Sequence, residues 1–276
     1  MKKFLTTLIA CGLALCFSLA MSGCSSKDDN ALYVGMECGY QPYNWTQFDN
    51  SNGAVSIKGK IGQYANGYDV KIAKRIAEEL GKELVIVQYE WESLVPGVES
   101  GALDLIIAVM SPTADRMERV DFSDPYYSSN LVVVVRKDGN YANAESIIDF
   151  AGANLVAQMG TFHDEVIDQI AGVVHGTPMD DFPTMITALN AGSIDGYIAE
   201  QPGAIADCNG NSNFKYIPLV NNENGFTIQD LSNVTLAVGL QKGSALLSEV
   251  NRILAGISTA EQQRLMEEAI AQVPAN

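Results

Sequence analysis

Apolar and polar positions follow two different rhythms along this chain. Short apolar runs at 32–34, 83–87 and 103–109 are typical of buried parallel strands, whose residues are apolar on both faces. The segment 67–80 instead repeats its apolar residues every three or four positions, which predicts an amphipathic helix with Asp69 as its N-terminal cap. Strands that alternate with helices predict an α/β fold, in which helices cover mostly parallel sheets.

One pattern occurs twice, at 100–108 and again at 191–199. In both copies a helix is predicted to end at a glycine, because glycine suits the left-handed backbone beyond a helix C-terminus. An aspartate and a buried strand follow. The two copies predict two lobes that are built alike, with their strands opening onto facing loops. One of these loops carries Ser111 and Arg116, and the other carries Glu200.

Two further apolar runs, at 130–136 and 234–240, are predicted to cross between the lobes. The predicted helices at 245–257 and 259–272 would then pack back on the first lobe. Two strands that cross side by side form a hinge, and closure about a hinge is a common response to a ligand. The resulting ranges are 31–133 and 239–276 for lobe 1, 136–237 for lobe 2, and 134–135 and 237–239 for the hinge.

The N-terminus has the pattern of an export signal. Two lysines precede an apolar run at 4–20, which is too short for a membrane span and ends in small residues before Cys24. These small residues resemble a bacterial lipobox, with Met21 in place of the usual leucine. We therefore expect removal of residues 1–23, a lipid on Cys24 that anchors the protein outside the cell membrane, and a flexible tether at 24–30. The alternative is an ordinary signal peptide whose cleavage releases the protein.

Composition narrows the range of functions. The chain has 276 residues and a formal net charge of −16, which argues against nucleic acid as a partner because phosphates require a basic surface. Beyond the signal and the anchor, Cys38 and Cys208 remain. A disulfide would be compatible with export, but their predicted places in different lobes favour two free thiols. No His/Cys cluster suggests a metal, and no cofactor is expected.

The most specific chemistry follows the apolar run at 105–109. Ser111, Thr113 and Arg116 come directly after it, where α/β sheets bind their ligands, and a guanidinium can bind both oxygens of a carboxylate in one plane. With the following DFSDPYY, this segment resembles the one with which the solute-binding proteins of polar amino-acid ABC importers (family 3) grip the ligand's α-carboxylate. The resemblance implies their type II periplasmic-binding-protein-like fold, two α/β lobes joined by two crossing strands.

The same resemblance implies how the two lobes would hold the backbone of an amino acid. Ser111 and Arg116 would bind the α-carboxylate, and Thr161 with the amide of Phe162, at the start of a helix, would close over it. Glu200 falls where the family usually has an aspartate that pairs with the ligand's α-ammonium.

The remaining implied contacts concern the ligand's ammonium and side chain. The carbonyl of Val109 would also accept from the ammonium. Glu37 would reach the ligand's side chain, Tyr40 and Trp91 would enclose it, and Gln158 would touch it. For Trp91, a place in the core fits the sequence equally well.

Three functions remain open at this point. The resemblance implies a monomeric binding protein, not an enzyme, that captures a free polar or cationic L-amino acid and presents it to an ABC permease/ATPase complex. Glu37 favours arginine, lysine, histidine or glutamine as the ligand, because an acidic side chain would be repelled. A periplasmic dehydratase on the same fold would need a general acid, for which Glu200 or Glu37 could serve. A sensor would need a spanning helix and a signalling module, and the sequence shows neither.

Overall fold

The structure is a computed structural model and describes residues 27–274. The predicted signal peptide and Cys24 lie outside the described residues, as does part of the predicted tether. The strands are β1 (Ala31–Met36), β2 (Gly39–Tyr40), β3 (Asn44–Gln47), β4 (Val55–Ser56), β5 (Tyr64–Asn66), β6 (Glu83–Gln88), β7 (Leu105–Ile106), β8 (Val120–Ser128), β9 (Leu131–Arg136), β10 (Asn154–Val156), β11 (Val174–His175), β12 (Gly196–Glu200), β13 (Phe214–Ile217) and β14 (Thr235–Gln241). The helices are α1 (Tyr68–Glu79), α2 (Trp91–Glu99), α3 (Ala114–Arg119), α4 (Phe162–Ile167), α5 (Phe182–Asn190), α6 (Gln201–Gly210), α7 (Leu247–Ala255) and α8 (Thr259–Gln272).

Two five-stranded sheets form the centres of two lobes. The order in lobe 1 is β6-β1-β7-β14-β8, and the order in lobe 2 is β11-β10-β12-β9-β13. In each lobe the first three strands of this order run parallel. Each of the last two strands runs antiparallel to the strand before it. Lobe 1 also carries a small antiparallel sheet, β2-β3-β5-β4. The predicted α/β fold with two lobes is confirmed.

The repeated sequence pattern performs the same task in both lobes. Gly101 and Gly192 have φ values of 74° and 75°, in the left-handed region that glycine tolerates best. The carboxylate of Asp104 accepts from the backbone N–H of Tyr33 in β1, at 2.8 Å. The carboxylate of Asp195 likewise accepts from the N–H of the first residue of β10, at 2.9 Å. Each aspartate thereby ties a helix-to-strand joint to the first strand of its own lobe.

The chain crosses between the lobes earlier than the sequence suggests. β8 belongs to the sheet of lobe 1 and β9 to that of lobe 2, so the first crossing lies at 129–130. The return crossing precedes Thr235, which already pairs with Ser128 in lobe 1. The predicted hinge at 134–135 and 237–239, and the lobe ranges drawn from it, are therefore displaced by several residues. The first apolar run lies in the sheet of lobe 2 and the second in the sheet of lobe 1. Hydrophobicity therefore does not mark where the chain changes lobe.

The C-terminal helices complete lobe 1. α7 packs against α1 and β8, and α8 packs against α1. α8 also contacts α6 of lobe 2, so the two lobes touch at a point outside the cleft as well. None of the helices within residues 27–274 has the length and apolar character that crossing a membrane requires.

Candidate functional site

All ten residues that the sequence proposes for ligand contact line one cavity between the lobes. The complete lining is Glu37, Tyr40, Trp91, Ala108, Val109, Ser111, Arg116, Gln158, Thr161, Phe162, His163, Phe182, Glu200 and Asn233. The strand ends explain this convergence, because β7 in lobe 1 and β10 in lobe 2 lead into loops that line the cavity, and β12 ends at Glu200, directly before α6. Which of these residues contact a ligand stays a prediction.

The lobes are closed around this cavity. Its volume is about 20 Å³, and a single water needs roughly 10–15 Å³ measured in this way. Pockets for small organic molecules are far larger, on the order of several hundred Å³. A metabolite can therefore enter only if the lobes separate or the lining side chains move.

Arg116 links the two lobes across the mouth of the cavity. Its Nη1 donates to the backbone carbonyl of Ser111 at 2.9 Å, and its Nη2 donates to the carbonyl of Gly160 in lobe 2 at 2.8 Å. Burial lowers the pKa of Arg116 to about 10, against the opposing effect of nearby carboxylates, so the guanidinium stays charged at neutral pH. A carboxylate that arrived here would find a preformed, partly desolvated cation.

Trp91 supports this guanidinium. The ring lies 4.9 Å from the Cζ of Arg116, within cation–π distance, and the residue is 9% exposed. Trp91 is the first residue of α2, which fixes the ring beside the cavity. Trp91 is thus buried and also lines the cavity, so a place in the core does not exclude the predicted contact with a ligand.

Lobe 2 meets Arg116 at the turn before α4. The hydroxyl of Thr161 donates to the carbonyl of Gln158 at 2.7 Å, and Thr161 is the residue before the helix. Phe162, the first residue of α4, packs against the core of lobe 2. The turn is therefore held by its own hydrogen bonds and apolar contacts, close to the charged group of lobe 1.

Val109 has a backbone conformation that is unusual for its residue type. Its φ is 58°, whereas β-branched residues strongly disfavour positive φ. Its N–H donates to the hydroxyl oxygen of Tyr126 at 3.2 Å, and that hydroxyl donates to Asp69 at 2.9 Å. Strain of this kind persists only where the surroundings enforce it, and here a buried chain of hydrogen bonds does so.

The predicted helix cap at Asp69 is wrong. The residue before α1 is Gly67, with φ 130°, and no side chain caps the helix. Asp69 is instead fully buried and accepts from the amide of Asn44 at 2.7 Å in addition to Tyr126. Burial raises the pKa of Asp69 to about 7, although these hydrogen bonds act in the opposite direction. Its role is to support the strained backbone at the cavity.

Glu37 and Gln158 meet across the cleft. The amide nitrogen of Gln158 donates to Oε1 of Glu37 at 2.8 Å and to the carbonyl of Asp180 at 2.9 Å. Burial raises the pKa of Glu37 to about 8, although the hydrogen bond from Gln158 lowers it. Glu37 therefore holds a proton at neutral pH while the cleft is closed without a cation beside it.

Tyr40 faces lobe 2. Its ring stacks on Phe182, with centroids 3.5 Å apart and an angle of 6° between the rings. Its hydroxyl donates to Oε2 of Glu200 at 2.5 Å. Tyr40 and Trp91 both line the cavity, and the enclosure of a ligand's side chain between their two rings stays a prediction.

Glu200 is buried at the end of β12, with 5% of its surface exposed. Its Oε1 lies 3.0 Å from Nε2 of His163, and its Oε2 accepts from Tyr40. Burial opposes ionisation of Glu200, but the charge of His163 and the hydrogen bonds from His163 and Tyr40 outweigh it. The pKa of Glu200 therefore lies below its ordinary value.

Sequence reasoning missed His163 and Phe182. His163 stands two residues after Thr161, in the first turn of a helix that faces the cleft, so its spacing could have revealed it. Phe182 carried no such signal, because its place beside Tyr40 depends on how α5 meets the other lobe. Cys38 in lobe 1 and Cys208 in lobe 2 are unpaired within residues 27–274.

Comparison with known proteins places this geometry in a family. The model of the bacterial extracellular solute-binding proteins, family 3, matches residues 32–271. The arginine-binding extracellular protein ArtP of Bacillus subtilis is 29% identical over 171 residues, which cover 60% of this chain and only 59% of that protein. The L-cystine-binding protein TcyJ of Escherichia coli K12 is 26% identical over 230 residues, which cover 83% of this chain and 78% of that protein.

A solved structure matches both lobes. The amino acid ABC transporter substrate-binding protein AbpA of Streptococcus pneumoniae, bound to L-arginine, has a TM-score of 0.72 and 25% sequence identity. The match covers 88% of this chain and 95% of that one. The two-lobed architecture is therefore shared over nearly the whole described chain.

The raised pKa of Glu37 predicts how stability depends on pH. A carboxyl with an ordinary pKa of 4.5 in the unfolded chain and about 8 in the folded protein stabilises the fold fully below pH 4.5. That contribution is lost as the pH rises through 8. We expect Glu37→Gln to reduce the fall in the free energy of unfolding between pH 5 and pH 8, measured by urea denaturation of the ligand-free protein.

The matched control is Glu83→Gln, which replaces an exposed glutamate of the same lobe. It should leave the wild-type pH dependence in place. A Glu37→Gln curve parallel to that of the wild type would show that burial does not raise the pKa of this carboxyl.

Proposed function

The chain belongs to the bacterial extracellular solute-binding proteins of family 3, and from this membership we propose that it captures a polar or cationic amino acid. It then presents the amino acid, as a monomer, to an ABC permease/ATPase complex in the membrane. The observation that carries this proposal is a pair of opposite charges, contributed by opposite lobes to one cavity. Arg116 comes from lobe 1 and Glu200 from lobe 2.

An amino acid has complementary charges at its backbone end. Its carboxylate would replace the carbonyl of Gly160 as the partner of Arg116, and a carboxylate forms stronger hydrogen bonds with a guanidinium than a carbonyl does. Its ammonium would bind Glu200, whose carboxylate oxygens contact Tyr40 and His163 in the closed structure and have further acceptor positions.

Lobe closure follows from these contacts. A ligand that touches only lobe 1 in the open state gains further partners in lobe 2 when the cleft closes, and this difference in binding free energy shifts the population towards the closed state. The closed structure also supplies direct contacts between the lobes at Arg116, Glu37 and Tyr40. Closure around a ligand therefore exchanges one set of interlobe contacts for a ligand-bridged set.

The acidic lining favours a cationic or amide side chain. Glu37 lines the cavity, where its carboxyl could ionise beside the cation of a ligand or accept from an amide. The names of the arginine-binding relative and the L-arginine-bound structure support arginine as the first ligand to test. Lysine, histidine and glutamine belong to the same chemical range.

The dehydratase alternative has little support from the electrostatics of the cavity. A general acid must carry a proton at working pH, whereas His163 and Tyr40 hold the pKa of Glu200 below its ordinary value. Glu37 does carry a proton, but its Oε1 is engaged by the amide of Gln158. We therefore infer a protein that binds without catalysis.

The inference against catalysis predicts an assay result. Purified protein incubated with prephenate or arogenate should produce no phenylpyruvate or phenylalanine above the uncatalysed rate, measured by chromatography. Turnover that Glu37→Gln abolishes would contradict the inference and would support the dehydratase.

The anchor is a separate part of the proposal. A lipid on Cys24 would hold the mature protein outside the membrane, through the residues that lead into β1. We expect Cys24→Ser to move the protein from the membrane fraction to the medium or periplasm when it is expressed in its own type of cell, because the thioether to lipid can no longer form. Membrane-bound Cys24→Ser protein, measured by fractionation and immunoblotting, would contradict the anchor without affecting the binding site.

Arg116 provides the direct test of ligand capture. Arg116→Ala should weaken L-arginine binding by at least ~2 kcal/mol, as expected when one partner of a buried charge pair is removed. Isothermal titration measures the affinity, and circular dichroism shows whether the fold is retained.

Arg119 in the same helix is the matched control. It is half-exposed and pairs with Glu99 on the surface, so Arg119→Ala should leave the affinity unchanged. Wild-type affinity in Arg116→Ala would refute the carboxylate site. An equal loss in both variants would point to damage to α3 instead.

A further inference from the structure

Glu200 differs from the other buried carboxyls near the cleft in having a basic side chain beside it. Its Oε1 lies 3.0 Å from Nε2 of His163, which is 9% exposed. Asp69 and Asp207 are buried to a similar degree but accept from neutral groups, Asp207 from the hydroxyl of Tyr197 at 2.6 Å. A buried carboxylate with a cation beside it keeps its charge far more readily than one with neutral partners.

The titration of these groups agrees with the geometry. Burial raises the pKa of Asp69 and of Asp207 to about 7, and that of Glu37 to about 8. Glu200 is as deeply buried, yet its pKa is lowered, with His163 as the largest opposing influence to burial.

The pair of His163 and Glu200 lies within a single lobe. His163 lies on α4 and Glu200 at the end of β12, and both elements belong to lobe 2. Tyr40, the other partner of Glu200, comes from lobe 1. The bond to Tyr40 therefore depends on closure, whereas the pair of His163 and Glu200 lies within one lobe and is independent of the angle between the lobes.

We propose that His163 is a positioning residue for the ligand's α-ammonium, which holds the Glu200 carboxylate ionised and oriented in lobe 2 before the cleft closes. This inference rests on the proposed function and adds a residue to it. The carboxylate of a glutamate lies at the end of a flexible side chain, so it needs a contact that fixes its direction. His163 supplies that contact through Nε2.

The arrangement leaves room for the ammonium. A carboxylate has about four acceptor positions, and His163 and Tyr40 occupy one on each oxygen. Nδ1 of His163 is buried without a hydrogen-bond partner among the described residues, so within that part of the chain the ring makes its polar contact through Nε2, with Glu200. When the ammonium arrives, it can bind a free acceptor position of Glu200 while His163 keeps its own contact.

Two ligands separate positioning of the ammonium from general support of the fold. L-arginine and 5-guanidinopentanoate share the carboxylate and the guanidinium, and only the first has an α-ammonium. The ratio of their affinities therefore isolates the contact with Glu200 and removes the contributions of Arg116 and Glu37. In the wild type, L-arginine should bind much more tightly, as measured by isothermal titration.

His163→Phe should reduce that preference by roughly tenfold or more, since it removes a charge-assisted hydrogen bond from Glu200. The affinity for 5-guanidinopentanoate should change little. His163→Gln keeps an N–H donor and should restore part of the preference. A loss of the same factor for both ligands in His163→Phe would overturn the proposal, because it would indicate a merely structural role.

His175→Gln is the matched control. His175 lies 2.8 Å from a carboxylate oxygen of each of Asp164 and Asp168, in α4 and at its end, so it supports the same helix without reaching Glu200. It should retain the wild-type preference. A reduced preference in His175→Gln equal to that in His163→Phe would also overturn the proposal.

A measurement without ligand keeps this inference distinct from the proposed function. If the wild type binds neither probe, the proposed ligand fails, and the pair is judged by a double-mutant cycle of His163→Phe and Glu200→Gln in urea unfolding. Non-additive effects on the free energy of unfolding would support an ionised, coupled pair. Additive effects would overturn it.

Discussion

A charge that leaves water needs an opposite charge or several hydrogen bonds, and this requirement organises the cleft. Arg116 of lobe 1 and Glu200 of lobe 2 are both withdrawn from solvent where the lobes meet. Each is held by neighbours of its own lobe, Arg116 by the ring of Trp91 and Glu200 by His163. The two charges are thus prepared separately, and a zwitterion is the simplest molecule that can satisfy both at once.

The fold supplies the two positions by repeating one construction. In each lobe a left-handed glycine, an aspartate and a short strand bring the chain to the edge of the sheet that faces the other lobe. The chain changes sheet at only two places within residues 27–274, at 129–130 and just before Thr235. In the closed structure the side chains of the cavity satisfy one another across the cleft, so the ligand competes with contacts that the protein already makes.

Much of the fold, and the loop that carries Arg116, could be predicted from the sequence because these features are local. The alternation of strands and helices, the repeated joint at Gly101 and Gly192, and the loop carrying Arg116 each depend on residues that are close together in the chain. The hinge was placed too late because each apolar run lies in the sheet of one lobe, and the chain crosses where the run begins. Asp69 was misassigned as a cap because its partners, Asn44 and Tyr126, are distant in sequence.

The contacts of the cavity itself were the least predictable. The stacking of Tyr40 on Phe182 requires the relative position of two lobes, which no sequence pattern encodes. A crystal structure of the protein with bound L-arginine would test the central claim most directly. We expect the ligand's carboxylate on the guanidinium of Arg116 and its ammonium on the carboxylate of Glu200, inside a closed cleft. A ligand bound in the reverse direction, or with either side chain turned away from it, would show that the two charges do not hold the amino acid in this way.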